Sequence, residues 1–171
     1  MVIPAILGID LDTTRVHMVL IDGKMDTDEI VAQSVVPKSW VASRKFLPLM
    51  GSVEVSLQHM RVQMSKARPE DRAVYIEGLP WIKNRAGFAS LAKVLGGVQL
   101  LVHQTMGLEA KVLNGAEWKH ELGLSGNANK EAIAAWVRGY RGEEFETQDL
   151  NDAFCVALAG YSLSIVEEEP A

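Results

Sequence analysis

The sequence predicts an α/β fold, a mixed five-stranded sheet flanked by helices, and three observations lead there. Apolar and β-branched residues alternate through three early segments joined by short turns. Beyond residue 50 the apolar period lengthens to that of helices. Two further strand-like runs stand between the helical ones. An antiparallel meander of three strands, followed by parallel strands reached through helices, makes such a sheet.

The elements follow in order. Residues 2–10 are mostly apolar up to the turn-like DLDTT, after which RVHMVLID resumes the strand alternation. IDGK, 21–24, is a hairpin turn signal, because Asp-Gly favours the left-handed geometry such turns need. EIVAQSVVPK, 29–38, supplies the third strand, ended by Pro37. Residues 39–48 read as a loop with two exposed-type aromatics, Trp40 and Phe46. In 50–67, Val53, Leu57, Met60 and Met64 fall at helical spacing, with Ser52 as the expected cap and Arg68-Pro69 as the stop. The methionines there read as core filler. DRAVYIEGLP, 71–80, is a short buried strand, and 85–107 a long helix that tolerates Gly96-Gly97. His103 on it reads as a partly buried core residue. EAKVLNG, 109–115, is the last strand; a glycine-rich loop, a helix over 129–140 and a final helix from Asp149 to Val166 complete the order.

Bulk properties narrow the class. With 171 residues, 48% of them hydrophobic, the chain fits one domain, 1–171, with a sizeable core. The single cysteine, Cys155, rules out an internal disulfide and fits a reducing cytoplasm, and its flank FCVALAG places it in the core. The N-terminus has no basic region and reads as a strand rather than a signal peptide. The longest apolar runs are short for a bilayer, and residues 90–102 are broken by Lys93 and the glycine pair, so no membrane partner is expected. A net charge of −5 weighs against nucleic acid as a global field, yet a metal nuclease gathers carboxylates at one place. The tail VEEEPA reads as a solvated terminus.

Acidic residues stand where the apolar pattern predicts burial. Asp10 lies in the first strand, Glu77 closes the fourth in YIEGLP, and Asp149 and Asp152 open the last helix, three residues apart and on one face. Singly, each has an ordinary structural use: an Asx-turn, a salt bridge, a helix cap. The first and fourth strands can be neighbours, and a C-terminal helix packed on them would bring all four together. Carboxylates so close repel unless cations compensate. Oxygen ligands without a His/Cys set point to Mg²⁺ or Mn²⁺. Two such ions about 3.5–4 Å apart clamp the attacking water and leaving oxygen of a phosphodiester.

Strand–Asp, strand–Glu and a late helix with D-x-x-D-A resembles the retroviral-integrase and ribonuclease-H-like nucleases, and more narrowly the RuvC-type Holliday-junction resolvases. The residues that carry this are GID at 8–10, IEG at 76–78, DLNDAFCVALA at 149–159, and WKHELGLSGNANKEAI at 118–133, similar to the family's W-K…G-x-G-x-x-K segment. The resemblance implies a ribonuclease-H-like nuclease domain with Asp10, Glu77, Asp149 and Asp152 as metal ligands and one of the last pair helping to activate water. Lys119 and Lys130 match two basic positions that meet the scissile phosphate or backbone. Where the family carries an aromatic three residues after the glutamate, this chain has Pro80 and then Trp81. Trp81, beside Lys83 and Arg85, either stacks on an unpaired base or plugs the core. Asp12 stands where the family more often has Gly; it either brings a fifth acid near the site or caps the turn.

The resemblance thus implies a Mg²⁺-dependent endonuclease acting on branched DNA, above all four-way junctions, as a homodimer whose contact is helical, over 50–67 or 85–107. Host and phage origin are both compatible with so compact a chain, and the sequence names no helper such as a branch-migration motor. Other readings are an actin-like or sugar-kinase ATPase, since GIDLDTT resembles its phosphate loop, a ribonuclease H or transposase fragment, and a non-catalytic junction-binding protein. The ATPase needs two lobes and a glycine where Asp12 stands. The second does not explain the lysine segment, and four intact acids argue against the third.

Overall fold

The computed structural model describes residues 4–22, 30–37, 46–80 and 84–167, with side chains to 165. In chain order the elements are β1 (Ala5–Leu11), β2 (Val16–Asp22), β3 (Val31–Val35), α1 (Phe46–Met64), β4 (Arg72–Glu77), α2 (Arg85–Met106), β5 (Ala110–Leu113), α3 (Gly115–Glu121), α4 (Lys130–Arg141) and α5 (Gln148–Glu167). The sheet order is β3-β2-β1-β4-β5. β1–β2 and β2–β3 are antiparallel, β1–β4 and β4–β5 parallel, as the meander-then-crossover pattern requires.

Strand alternation divides the apolar residues into two cores. Leu7, Ile9, Met18 and Val74 face one side, covered by Val53, Leu57 and Met60 of α1 and Val94, Val98 and Val102 of α2. Ile6, Val19, Ile21 and Tyr75 face the other, covered by Trp118 of α3, Ile133 and Val137 of α4, and most of α5. Small residues set how closely α5 lies. A Cβ on Gly8 of β1 would fall 2.5 Å from Ala157 N and 2.7 Å from Ala157 Cβ, and one on Gly160 would enter the Tyr75 ring. The helix therefore rests directly on the central strand. Capping fixes the other helices: Asn84 and Asn129 accept backbone N–H bonds at the starts of α2 and α4, while Gly107 and Gly142, at φ 69° and 88°, end them.

Several expectations need correction. The first long helix starts by Phe46, so 46–48 are helical rather than loop. Pro48 is tolerated in its first turn, where its missing N–H is unneeded. Ser52 is consequently interior, and its Oγ donates to Pro48 O at 3.1 Å instead of capping. The loop after β5 opens with α3, seven residues held by a capping box in which Asn114 accepts from Glu117 N–H and Glu117 accepts from Asn114 N–H. His103 is exposed, not partly buried. α2 has the length and composition of a bilayer-crossing helix despite its interruptions. Here it packs on α1 and turns Leu91, Val94, Val98 and Val102 into the core. The hairpin residues Gly23 and Lys24, with Trp40, Trp81, Lys83 and most of the terminal tail, lie outside the described residues.

Candidate metal centre

Register decides which side chains meet. Asp10 on β1 pairs with His17 on β2, and His17 pairs with Ser34 on β3. Ile9 pairs with Ile76, so Asp10 and Glu77 come next along their parallel strands. By strand alternation these residues share the face of Val19 and Tyr75, which α5 covers. α5 begins at the same end of the sheet, so its first two turns carry Asp149 and Asp152 over this row.

Asp10, Asp149 and Asp152 each offer an oxygen, and these atoms lie within 4.8 Å of one another. Glu77 lies beside Asp10, near enough for their carboxyl groups to share a proton when one is protonated. Its Oε1 also accepts from Trp118 Nε1–H at 3.1 Å. Asp149 Oδ1 lies 3.5 Å from Lys130 Nζ, and Asp149 Oδ2 lies 3.4 Å from His17 Nε2. Gln148 Nε2 donates to Asp152 Oδ1 at 3.3 Å. His17, only 1% exposed, pairs through Nδ1 with Ser34 Oγ at 2.9 Å.

The crowding perturbs titration as like charges should. Burial raises the Asp10 carboxyl well above the ordinary range, reinforced by the Glu77 hydrogen bond and the charges of Glu77, Asp152 and Asp149. Asp152 is pushed up to about 6, by burial first and then by the Glu77 charge, against a lowering bond from Gln148. His17 is lowered, mainly by burial. Carboxylates held together against their own repulsion, with oxygen donors converging from three elements, fit a hard divalent cation. Lys130 compensates only part of this charge, since its side chain is 70% exposed and reaches Asp149 from the rim.

The structure thus brings Asp10, Glu77, Asp149, Asp152 and Lys130 together. Lys119 sits one step outward, its Nζ 5.2 Å over the Trp118 ring whose N–H binds Glu77. Arg85 is the exposed first residue of α2 and forms no ion pair with the acids among the described residues. Asp12 turns to its own loop, accepting from Thr13 N–H and, at 3.0 Å, from Thr13 Oγ1. It caps the turn. Cys155 is buried behind Asp152, and burial pushes its thiol far up, so it is inert. Sequence reasoning missed His17, Trp118 and Gln148 as site residues. The i,i+4 pair Gln148–Asp152 was visible in helical spacing, whereas the other two depend on cross-strand and helix–sheet contacts.

An antiparallel-then-parallel five-stranded sheet with clustered carboxylates at the end of its central strand defines the ribonuclease-H-like class. No protein-family model matches the chain. Over 156 residues it is 26% identical to the crossover junction endodeoxyribonuclease RuvC of a Synechocystis strain, covering 90% of this chain and 89% of that protein. Among solved structures, Thermus thermophilus RuvC in complex with a Holliday junction substrate superposes with a TM-score of 0.72 at 18% identity, over 95% of this chain and 96% of that one. The yeast mitochondrial Holliday junction resolvase gives 0.57 at 10% identity, over 98% and 83%. The fold is that of RuvC, and the resemblance to the RuvC-type resolvases read from GID, IEG and the late D-x-x-D-A helix extends along nearly the whole chain.

Proposed function

We propose that this chain is a divalent-metal-dependent endonuclease that cuts branched DNA, four-way junctions above all, by paired phosphodiester hydrolysis. The observation that carries this is the convergence of Asp10, Asp149 and Asp152, with Glu77 beside Asp10, at one end of a RuvC-like fold. The four acids are the ligands, for two Mg²⁺ ions with Mn²⁺ as a substitute. When bound, such ions supply the charge that favours in-line attack of water on a phosphate.

The chain's own residues do the rest. Asp149 or Asp152 orients the attacking water. Lys130, already beside Asp149, and Lys119, over Trp118, stabilise charge on the nonbridging oxygens as it develops. Trp81, Lys83 and Arg85, before and at the start of α2, contact the DNA. The products carry 5′-phosphate and 3′-hydroxyl ends. A four-way junction offers two equivalent strands, which a C₂ homodimer matches with two sites. The exposed Val55 and Val62 of α1 and Phe88 and Leu100 of α2 support a dimer contact on these packed helices. The protein acts in the bacterial cytoplasm, where the DNA lies.

The test is a cleavage panel of labelled four-way junction, linear duplex, flap and RNA–DNA hybrid, each with and without Mg²⁺. Paired, Mg²⁺-dependent nicks on the junction are expected; cutting of only the RNA strand of the hybrid overturns the substrate assignment. Asp10→Asn and Glu77→Gln should each lower cutting by more than about 100-fold while junction binding survives. Wild-type cutting by both variants sinks the metal centre.

A further inference from the structure

His17 lies outside the ligand set, yet it is buried and points at it. Its Nε2 is fully buried and makes no hydrogen bond among the described residues, although Asp149 Oδ2 lies 3.4 Å away. That separation is a few tenths of an ångström longer than a normal N–H···O bond. The other ring nitrogen is committed to Ser34 Oγ at 2.9 Å, across a strand pair whose register sets His17 opposite Ser34.

We infer that His17 is a positioning residue of the carboxylate centre, aiming an Nε2–H at Asp149 Oδ2 because the Ser34 hydroxyl donates to Nδ1. An ionised carboxylate accepts and never donates, so the proton facing it belongs on Nε2. The neutral Nε2–H tautomer provides it and leaves Nδ1 free to accept from Ser34. Hydrogen bonds to ligating carboxylates hold them in the orientation that a metal needs. Asp149 has particular need of such a partner. It stands in the first turn of α5, and its other oxygen lies 3.5 Å from the exposed Lys130 side chain. His17 is held by the sheet, so it transmits the rigidity of β2 and β3 to a ligand on the covering helix. The result is a row from Ser34 through His17 to Asp149, spanning two strands and a helix.

This inference rests on the metal-centre reading. Its test is Mn²⁺ binding to the DNA-free protein by isothermal titration calorimetry, for wild type, His17→Leu, His17→Gln and Ser34→Ala, each checked for folding by circular dichroism. Loss of an outer hydrogen-bond partner costs about 10–100-fold in metal affinity, the expected weakening in His17→Leu. Gln can present an amide N–H near the position of Nε2, so His17→Gln should stay within about threefold of wild type. Wild-type affinity in His17→Leu, or equal losses in the Leu and Gln variants, overturns the inference. Should His17→Leu fail to fold, exposed Ser34→Ala decides: weakening of about tenfold, the lower end of such effects, supports it and an unchanged affinity refutes it. Wild-type protein that binds no Mn²⁺ overturns the metal centre and this inference with it. Wild-type binding with unaltered variants overturns this inference alone.

Discussion

The contact between Gly8 and α5 can be tested directly, because it should control both stability and the placing of two acids. Gly8→Ala puts a methyl 2.5 Å from Ala157 N and 2.7 Å from Ala157 Cβ, and closer still to Ala153 O. Two of these are backbone atoms of a packed helix and the third is a Cβ fixed to it, so none can rotate away. Ordinary contact begins near 3.4 Å, so α5 must retreat by about 1 Å in a core packed like a crystal. Overpacking of this kind costs about 2–3 kcal/mol. With a slope of about 2 kcal/mol per molar urea, the unfolding midpoint falls by about 1 M. The same retreat draws Asp149 and Asp152 away from Asp10, and misplacing reacting groups by about 1 Å costs roughly 100-fold in rate. Gly96→Ala is the control. Its Cβ meets nothing within 4 Å on the outer side of α2, so it should gain about 0.5–1 kcal/mol. Urea unfolding and junction cleavage measure both. A Gly8→Ala variant with wild-type midpoint, or one shifted in the same direction as Gly96→Ala, refutes the packing of α5 on β1.

Further predictions follow from the charges and bonds of the centre. The Asp152 carboxyl sits at about 6 in the folded protein against 3.8 for the free group. The native state therefore binds the extra proton in that interval, and metal-free stability falls as pH rises from 3.8 to about 6. Two units amount to about 3 kcal/mol. Asp152→Asn removes this burden, so in chelator the variant should be more stable than wild type at pH 7 and equal to it at pH 3; a gap that does not change with pH contradicts the assignment. Protons compete for the same carboxylate, so divalent-ion affinity should drop as pH falls through about 6, as calorimetry would report. Trp118→Phe keeps the ring bulk but removes the donor to Glu77, and should cost about 1–2 kcal/mol in urea unfolding together with cleavage rate.

Particular residues show what could be read from sequence and what could not. The sheet was legible because period and turn chemistry are local: RVHMVLID alternates, and Asn114 and Gly107 punctuate the ends of their neighbours. Asp10, Glu77, Asp149 and Asp152 stood out because each interrupts an apolar run. The helix start at Phe46 was hidden by Pro48 and by Ser52, a residue that caps well but here bonds back to the preceding turn. α3 is too short for a periodic signal, although its N-G-A-E start carries a capping box. His17 gave no signal, since it looks like an ordinary strand residue, and Trp118 stood out only as the first residue of the W-K segment, with nothing to mark it as a partner of Glu77. Their roles exist only through the β2–β3 register and the approach of α3 to β4.

The centre draws its acids from distant parts of the polypeptide, Asp10 among the first residues and Asp149 and Asp152 more than a hundred later. A ribosome emits them in that order, so a half-made chain holds Asp10 and Glu77 with no α5 to close over them. On the proposed reading, strand-cutting power arrives only once α5 has been translated. A fragment abandoned before α5 therefore lacks two of the four acids.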